Sequence, residues 1–163
     1  MAFDDLIKQI NKRYGKNTVV TASQSSVLSS KKRIPTDVPA LDWAMGGGVP
    51  TGSIITLLGE FSSGKSILAL QMAGAFGRTC RNCGKPLAKV DVFTREEARV
   101  PCCKNPERMN VCWFDAEGSF SNSWSKAQGV SLDNTFVLRT EFAEQGIDVA
   151  DALIRSGDCD LLV

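Results

Sequence analysis

The chain has 163 residues, 19 Lys and Arg against 18 Asp and Glu, and 43% apolar residues; this fits a soluble globular protein of one domain plus an insert. No apolar run approaches the ~20 residues of a membrane span, and MAFDDLIKQI lacks the basic start and apolar core of a secretion signal, so an intracellular, cytoplasmic chain with no membrane partner is expected. Six cysteines in such a compartment point to metal binding or plain burial before disulfides.

Phe3, Leu6, Ile7, Ile10 and Tyr14 fall at helical spacing, so residues 3 to 14 are expected to form an amphipathic helix with Lys8, Lys12 and Arg13 in solvent and Gly15 at its end. Thr18 to Ala22 reads as a short strand, and Ser23 to Lys32 as a Ser/Lys-rich linker. A helix on such a tether packs either on its own domain or on a neighbouring subunit. Leu41 to Met45 makes a turn or two of helix, and the glycines before Val49-Pro50-Thr51-Gly52 permit a sharp turn into the next segment.

Ser53 to Leu58 (SIITLL) reads as a buried strand and Ile67 to Phe76 (ILALQMAGAF) as an apolar helix. Between them lies Gly59-Glu60-Phe61-Ser62-Ser63-Gly64-Lys65-Ser66, a complete phosphate-binding loop. Gly59 and Gly64 let the backbone wind tightly, so that the N–H groups of Ser62, Ser63 and their neighbours point at a triphosphate. Lys65 supplies mobile positive charge, and Ser66 offers a hydroxyl to Mg²⁺. Strand, glycine loop and helix in this order set a helix N-terminus against phosphate.

Residues 78 to 110 carry eight Lys and Arg against four Asp and Glu, the most basic stretch for its length. Arg78, Arg81, Lys85, Lys89, Arg95, Arg99, Lys104 and Arg108 supply this charge with few aromatics, so base stacking is not expected there. A nucleic-acid contact, a partner contact and a simply solvated face all remain open. Cys80-Arg81-Asn82-Cys83 is a C-x₂-C pair, followed by Cys102-Cys103; together they make a candidate zinc-ribbon-like module holding structural Zn²⁺. Adjacent cysteines point apart in a regular strand, so a bend or another ligand is required at the second pair. Cys112 and Cys159 read as buried small side chains.

Val111 to Phe114 is another apolar strand, ending in Asp115-Ala116-Glu117, and acidic residues at the carboxyl end of a parallel strand sit beside the phosphate loop in open α/β sheets. Asp115 is then a candidate Mg²⁺-shell carboxylate and Glu117 a water-orienting base, with the segment at Leu161 an equally good place for the metal-linked Asp. Thr135 to Arg139 reads as a strand, Asp148 to Ser156 as a helix with Val149, Leu153 and Ile154 inward, and Asp160 to Val163 as the start of a strand. The order is α/β: a mostly parallel sheet flanked by helices and interrupted by an insert.

The phrases LIKQINKRYGKNTVV, IPTDVPALDWAMGGGVPTGSIITLLGEFSSGKS, DAEGSFSNSWSKAQGV, LDNTF and EQGIDVADALIRSGDCDLLV together resemble, in order, the N-terminal half of the RecA-type recombinase family, bacterial or phage. The resemblance leaves out residues 78–110. It implies an arm and linker at 1–33, an incomplete RecA-like ATPase core at 34–77 and 111–163, and the cysteine-rich insert at 78–110. It also implies ATP with Mg²⁺, Glu117 as the catalytic glutamate alongside Lys65, and a supporting role for Asp115. Trp124 falls where the family sets an aromatic ring against adenine, with core filling as the alternative, and Ser121 stands where the family has an acid. Phe61 departs from the family's loop. Further implied are filaments on single-stranded DNA joined through the N-terminal helix, and ATP-driven strand exchange. The metal-linked Asp and the DNA loops are expected beyond Val163, so the chain resembles a truncated recombinase. Two alternatives stay open: a non-catalytic nucleotide- and zinc-binding fragment that joins or caps filaments, and another RecA-fold ATPase of the helicase or clock-protein type.

Overall fold

A computed structural model describes residues 3–24, 31–90 and 97–163. Most of the Ser23–Lys32 linker and the basic residue Arg95 lie outside the described residues. The chain divides into two compact units, residues 1–32 and 33–163.

In the first unit, helix α1 (Phe3–Tyr14) covers the expected residues. Asp4 and Asp5 in its first turn and Lys12 and Arg13 in its last complement the helix dipole. The chain leaves at Gly15 with φ +116°. No strand forms over Thr18–Ala22, contrary to the sequence reading. The Asn11 side-chain amide instead exchanges two hydrogen bonds with the Val19 backbone, donating to its carbonyl at 2.9 Å and accepting from its N–H at 2.8 Å. This satisfies locally the groups that a neighbouring strand would take.

The second unit opens with β1 (Arg33–Ile34), helix α2 (Pro39–Ala44) and β2 (Val49–Pro50), with β1 and β2 antiparallel. Pro39 starts α2, where its missing N–H costs nothing. Fully buried Thr36 donates from both its N–H and its hydroxyl to Asp42 Oδ1 at 2.8 Å, fixing the turn into the helix.

Helix α3 (Lys65–Gly77) follows the phosphate loop; its second half, from Met72 to Gly77, is buried and consists of small and apolar residues. Strands β3 (Ala88–Val90) and β4 (Glu97–Arg99) pair antiparallel within the cysteine-rich segment. Beyond it, β5 (Val111–Phe114) is the middle strand of a parallel sheet, flanked by β6 (Thr135–Leu138) and β7 (Leu161–Leu162). Helix α4 (Asn122–Ala127) and a 3₁₀ turn at Leu132–Asn134 join β5 to β6, and helix α5 (Ala143–Ser156) joins β6 to β7. Ile34, Val49, Leu70, Met72, Ala73, Phe76, Met109, Val111 and Val130 form the core, so α3 packs between the β1–β2 corner and β5. No helix among the described residues is long and apolar enough to cross a membrane.

Two expectations fail here for physical reasons. The stretch 53–58 belongs to no sheet among the described residues, and Ile54 and Leu58 are 99% and 88% exposed. Their apolar composition has strand character, but a strand exists only where a ladder forms. Helix α5 begins five residues earlier than expected, and Val149 and Ile154 are exposed. Its one buried residue is Gly146, where an added Cβ would lie 2.1 Å from the Phe114 ring. The helix thus approaches the sheet along a residue without a side chain, which leaves most of its apolar positions outward.

Gly146→Val forces that ring or the helix to move and is expected to destabilise the protein by about 1–3 kcal/mol. A lower urea midpoint at unchanged m-value reports it; an unchanged midpoint means that Phe114 and Gly146 do not set the spacing of helix and sheet.

Candidate functional site

The phosphate loop takes its shape from three backbone features. Ser62 and Gly64 have φ of +59° and +90°, so the chain turns twice through the left-handed region, and Gly64 is the N-cap of α3. Ser63 N–H donates to the Glu60 carbonyl at 3.2 Å, which closes the first of these turns. A Cβ on Gly59 would stand 2.6 Å from Ser63 Oγ, so any larger residue at the loop's first position requires the Ser63 side chain to turn away. Lys65 reaches back across the loop, its Nζ donating to the Gly59 carbonyl at 2.9 Å and the Glu60 carbonyl at 2.7 Å, with Ser63 Oγ at 3.5 Å. Neutral carbonyls are weak partners for an ammonium beside charged oxygens, so a phosphate in the loop would draw Lys65 away from them. Ser66 is exposed in the first turn of α3, and Phe61 projects into solvent without blocking the loop's own hydrogen bonds.

The end of β5 separates the two acidic candidates. Asp115 is buried, and its carboxylate accepts from Ser119 N–H at 2.8 Å, Phe120 N–H at 3.1 Å and Arg139 Nε at 2.9 Å. Burial pushes its carboxyl up, but the two backbone donors and the guanidinium outweigh burial and hold it below the ordinary 3.8. These bonds close the turn that carries Glu117, whose own carboxylate is exposed. Asp115 is therefore engaged in shaping the loop, with three of the roughly four acceptor sites of its carboxylate taken by these donors.

Trp124, in the first turn of α4, is 51% exposed, so its ring is not core filling. Ser121 has a local role that the sequence reading missed: it is the N-cap of α4, accepting from Trp124 N–H. The signal was present, since a serine immediately before a short helical segment is a capping pattern. Among the described residues, no hydrogen bond or ion pair joins Glu117 or Trp124 to residues 59–66. A cleft of about 1330 Å³, lined by residues including Pro35, Asp37, Gln71, Arg78, Lys126 and Asp133, contains none of the phosphate-loop residues.

The structure does bring the four insert cysteines together. The sulfurs of Cys80, Cys83, Cys102 and Cys103 all lie within 4.8 Å of one another. The required bend occurs just after Cys102, where the chain turns at residues 103–105 and aims both adjacent thiols inward. Cys112 is buried in β5, while Cys159 is half-buried and donates to the Leu161 carbonyl at 3.4 Å.

Because Asp115 has a depressed folded value, its contribution to stability is present above the unfolded 3.8 and is lost as the pH falls through the folded value. Asp115→Asn is expected to cost about 1.5–3 kcal/mol at pH 7. Urea unfolding of both proteins checks this, and the gap between them should close in acid; a gap independent of pH assigns the loss to packing.

The model of the RecA N-terminal domain matches residues 1–92, running past α3 into the cysteine-rich segment. Over 99% of its length the chain is similar to Protein RecA of Bartonella quintana (strain Toulouse) at 30% identity, of Acholeplasma laidlawii at 32% and of Clostridium botulinum (strain Eklund 17B / Type B) at 31%. It spans 39%, 40% and 38% of those relatives' own lengths. With the RecA N-terminal domain matched over more than half of its residues, the chain belongs to the RecA family and corresponds to its N-terminal portion.

Proposed function

We propose that the chain is the nucleotide-binding part of an ATP-dependent recombinase that forms filaments on single-stranded DNA and promotes strand exchange in the cytoplasm. The observation that carries this reading is the closed loop at Gly59–Ser66, with Lys65 lying over it at the N-terminus of a 13-residue helix. Backbone N–H groups at Gly64 to Ser66 would hold phosphate oxygens, Lys65 would move from the loop carbonyls onto them, and the Ser66 hydroxyl would hold Mg²⁺. Mg²⁺ neutralises phosphate charge when bound. Glu117, presented by the turn that Asp115 pins, orients the attacking water and takes its proton. The half-exposed Trp124 ring stacks on adenine. On this reading residues 1–33 are the arm, with α1 joining neighbouring copies in a filament. Residues 34–77 and 111–163 are the ATPase core, and residues 78–110 an inserted module.

One observation favours a second reading, a non-catalytic nucleotide-binding fragment that joins or caps filaments. Asp115 already accepts hydrogen bonds from Ser119, Phe120 and Arg139, which supports a loop-shaping role for it over a place in a Mg²⁺ shell.

Binding of a fluorescent ATP analogue and ATP hydrolysis with and without single-stranded DNA separate the two. Lys65→Ala should weaken nucleotide binding about 10–100-fold, the loss of charge-assisted hydrogen bonds. Glu117→Gln should retain binding and abolish turnover. Binding without DNA-stimulated hydrolysis selects the fragment reading, and failure of the unmodified chain to bind Mg²⁺–ATP at millimolar concentration overturns both.

A further inference from the structure

The phosphate loop leaves the four-cysteine cluster unexplained, and its geometry is quantitative. Cys80 Sγ stands 3.7 Å from Cys103 Sγ, and Cys102 Sγ stands 3.8 Å from Cys103 Sγ. A disulfide requires ~2.05 Å, so these are separate sulfurs. A tetrahedral metal with Zn–S bonds of ~2.3 Å has sulfur–sulfur edges of about 3.8 Å. Both distances match that edge, and all four atoms fall within the 4.8 Å that one metal ion can gather. A multinuclear iron–sulfur cluster spreads its thiolates further apart. The chain contains no histidine, so the set is pure thiolate, a soft tetrahedral environment suited to Zn²⁺.

The surrounding backbone is built to hold this arrangement. Gly84 N–H donates to the Cys80 carbonyl at 2.7 Å, closing the Cys80–Cys83 turn, and Gly84 itself has φ +70°. Cys80 N–H donates to the Lys85 carbonyl at 2.9 Å, and Arg81 N–H to the Glu107 carbonyl at 2.8 Å. The two cysteine-bearing turns are joined by Asn82 Nδ2, which donates to the Asn105 carbonyl at 2.7 Å. The first turn is also anchored to the core, because Arg81 pairs with Asp160 at 3.2 Å and Asp158 at 3.6 Å, just before β7.

We propose that Cys80, Cys83, Cys102 and Cys103 bind one Zn²⁺ as a closed structural centre that clamps the two ends of the insert where α3 ends and β5 begins. Four protein ligands leave no open position for substrate or water, so the centre fixes the insert's base and performs no chemistry. It does not depend on the nucleotide-binding reading, since none of its ligands belongs to the phosphate loop.

Elemental analysis of the full chain purified under reducing conditions should give one zinc per chain. Replacement by Co²⁺ should give the visible ligand-field bands and thiolate charge-transfer absorption of a tetrahedral tetrathiolate, a readout on the unmodified protein that does not depend on variants folding. Cys83→Ser with Cys103→Ser should lose the metal, whereas Cys112→Ser, Cys159→Ser and Lys65→Ala should keep it. Zinc well below one per chain together with no cobalt spectrum, iron in place of zinc, or full zinc in the double variant would each overturn the proposal.

Discussion

The parallel ladder on β5 is the constraint on which the rest of the second unit depends. Val111 is fully buried and pairs with Thr135 on one side and Leu161 on the other, so this short strand is hydrogen-bonded along both edges and covered by α3. The ladder continues past its assigned ends: Phe114 N–H donates to the Val163 carbonyl at 2.7 Å, and Asp115 N–H to the Leu138 carbonyl at 2.9 Å. A strand so enclosed cannot slide, because a one-residue shift would turn Val111 and Trp113 to the opposite face. Both candidate sites take their positions from it. Its carboxyl end delivers the Asp115–Glu117 turn, and its amino end receives the chain from the cysteine-rich insert.

A second constraint sits at the opposite end of α3. Arg78 is buried at the helix C-terminus, where a cation is favoured by the helix dipole. It pairs with Asp37 and donates to the Gly129 carbonyl. One guanidinium thus binds the approach to α2 and the connection after α4 to the end of the helix that carries the phosphate loop. The neutral pairing matters more than the bond energy, since a buried cation stripped of its partner is strongly destabilising.

What was legible in the sequence was what short-range chemistry decides. The glycine loop, α1, α3 and the β5, β6 and β7 strands rest on spacing and propensity that act within a few residues, and all were readable. The failures share one cause, dependence on a distant partner. Residues 53–58 have strand composition but no ladder, and Thr18–Ala22 lost its pairing to the Asn11 amide. The buried face of α5 was misread because its contact is made by a glycine, which no hydrophobic pattern reveals. The burial of Asp115 beside an exposed Glu117 was not readable, because it rests on the Ser119 and Phe120 backbone donors together with Arg139, 24 residues away. The cysteine cluster fell between these cases: spacing suggested it, and only the bend after Cys102 made it geometrically possible.

The base of the insert carries a consequence for chain topology. Cys80 bridges to Arg108 and Met109 N–H donates to the Thr79 carbonyl at 3.3 Å, so the polypeptide departs from the core and returns to it at adjacent points. To the sheet and α3 the whole excursion is equivalent to a tight turn, whatever its contour length. Doubling the length of a flexible excursion costs only about 0.6 kcal/mol in closure entropy. This corner of the fold can therefore carry a long, short or exchanged segment without the sheet and α3 registering the difference, which makes it a natural port for grafting foreign sequence.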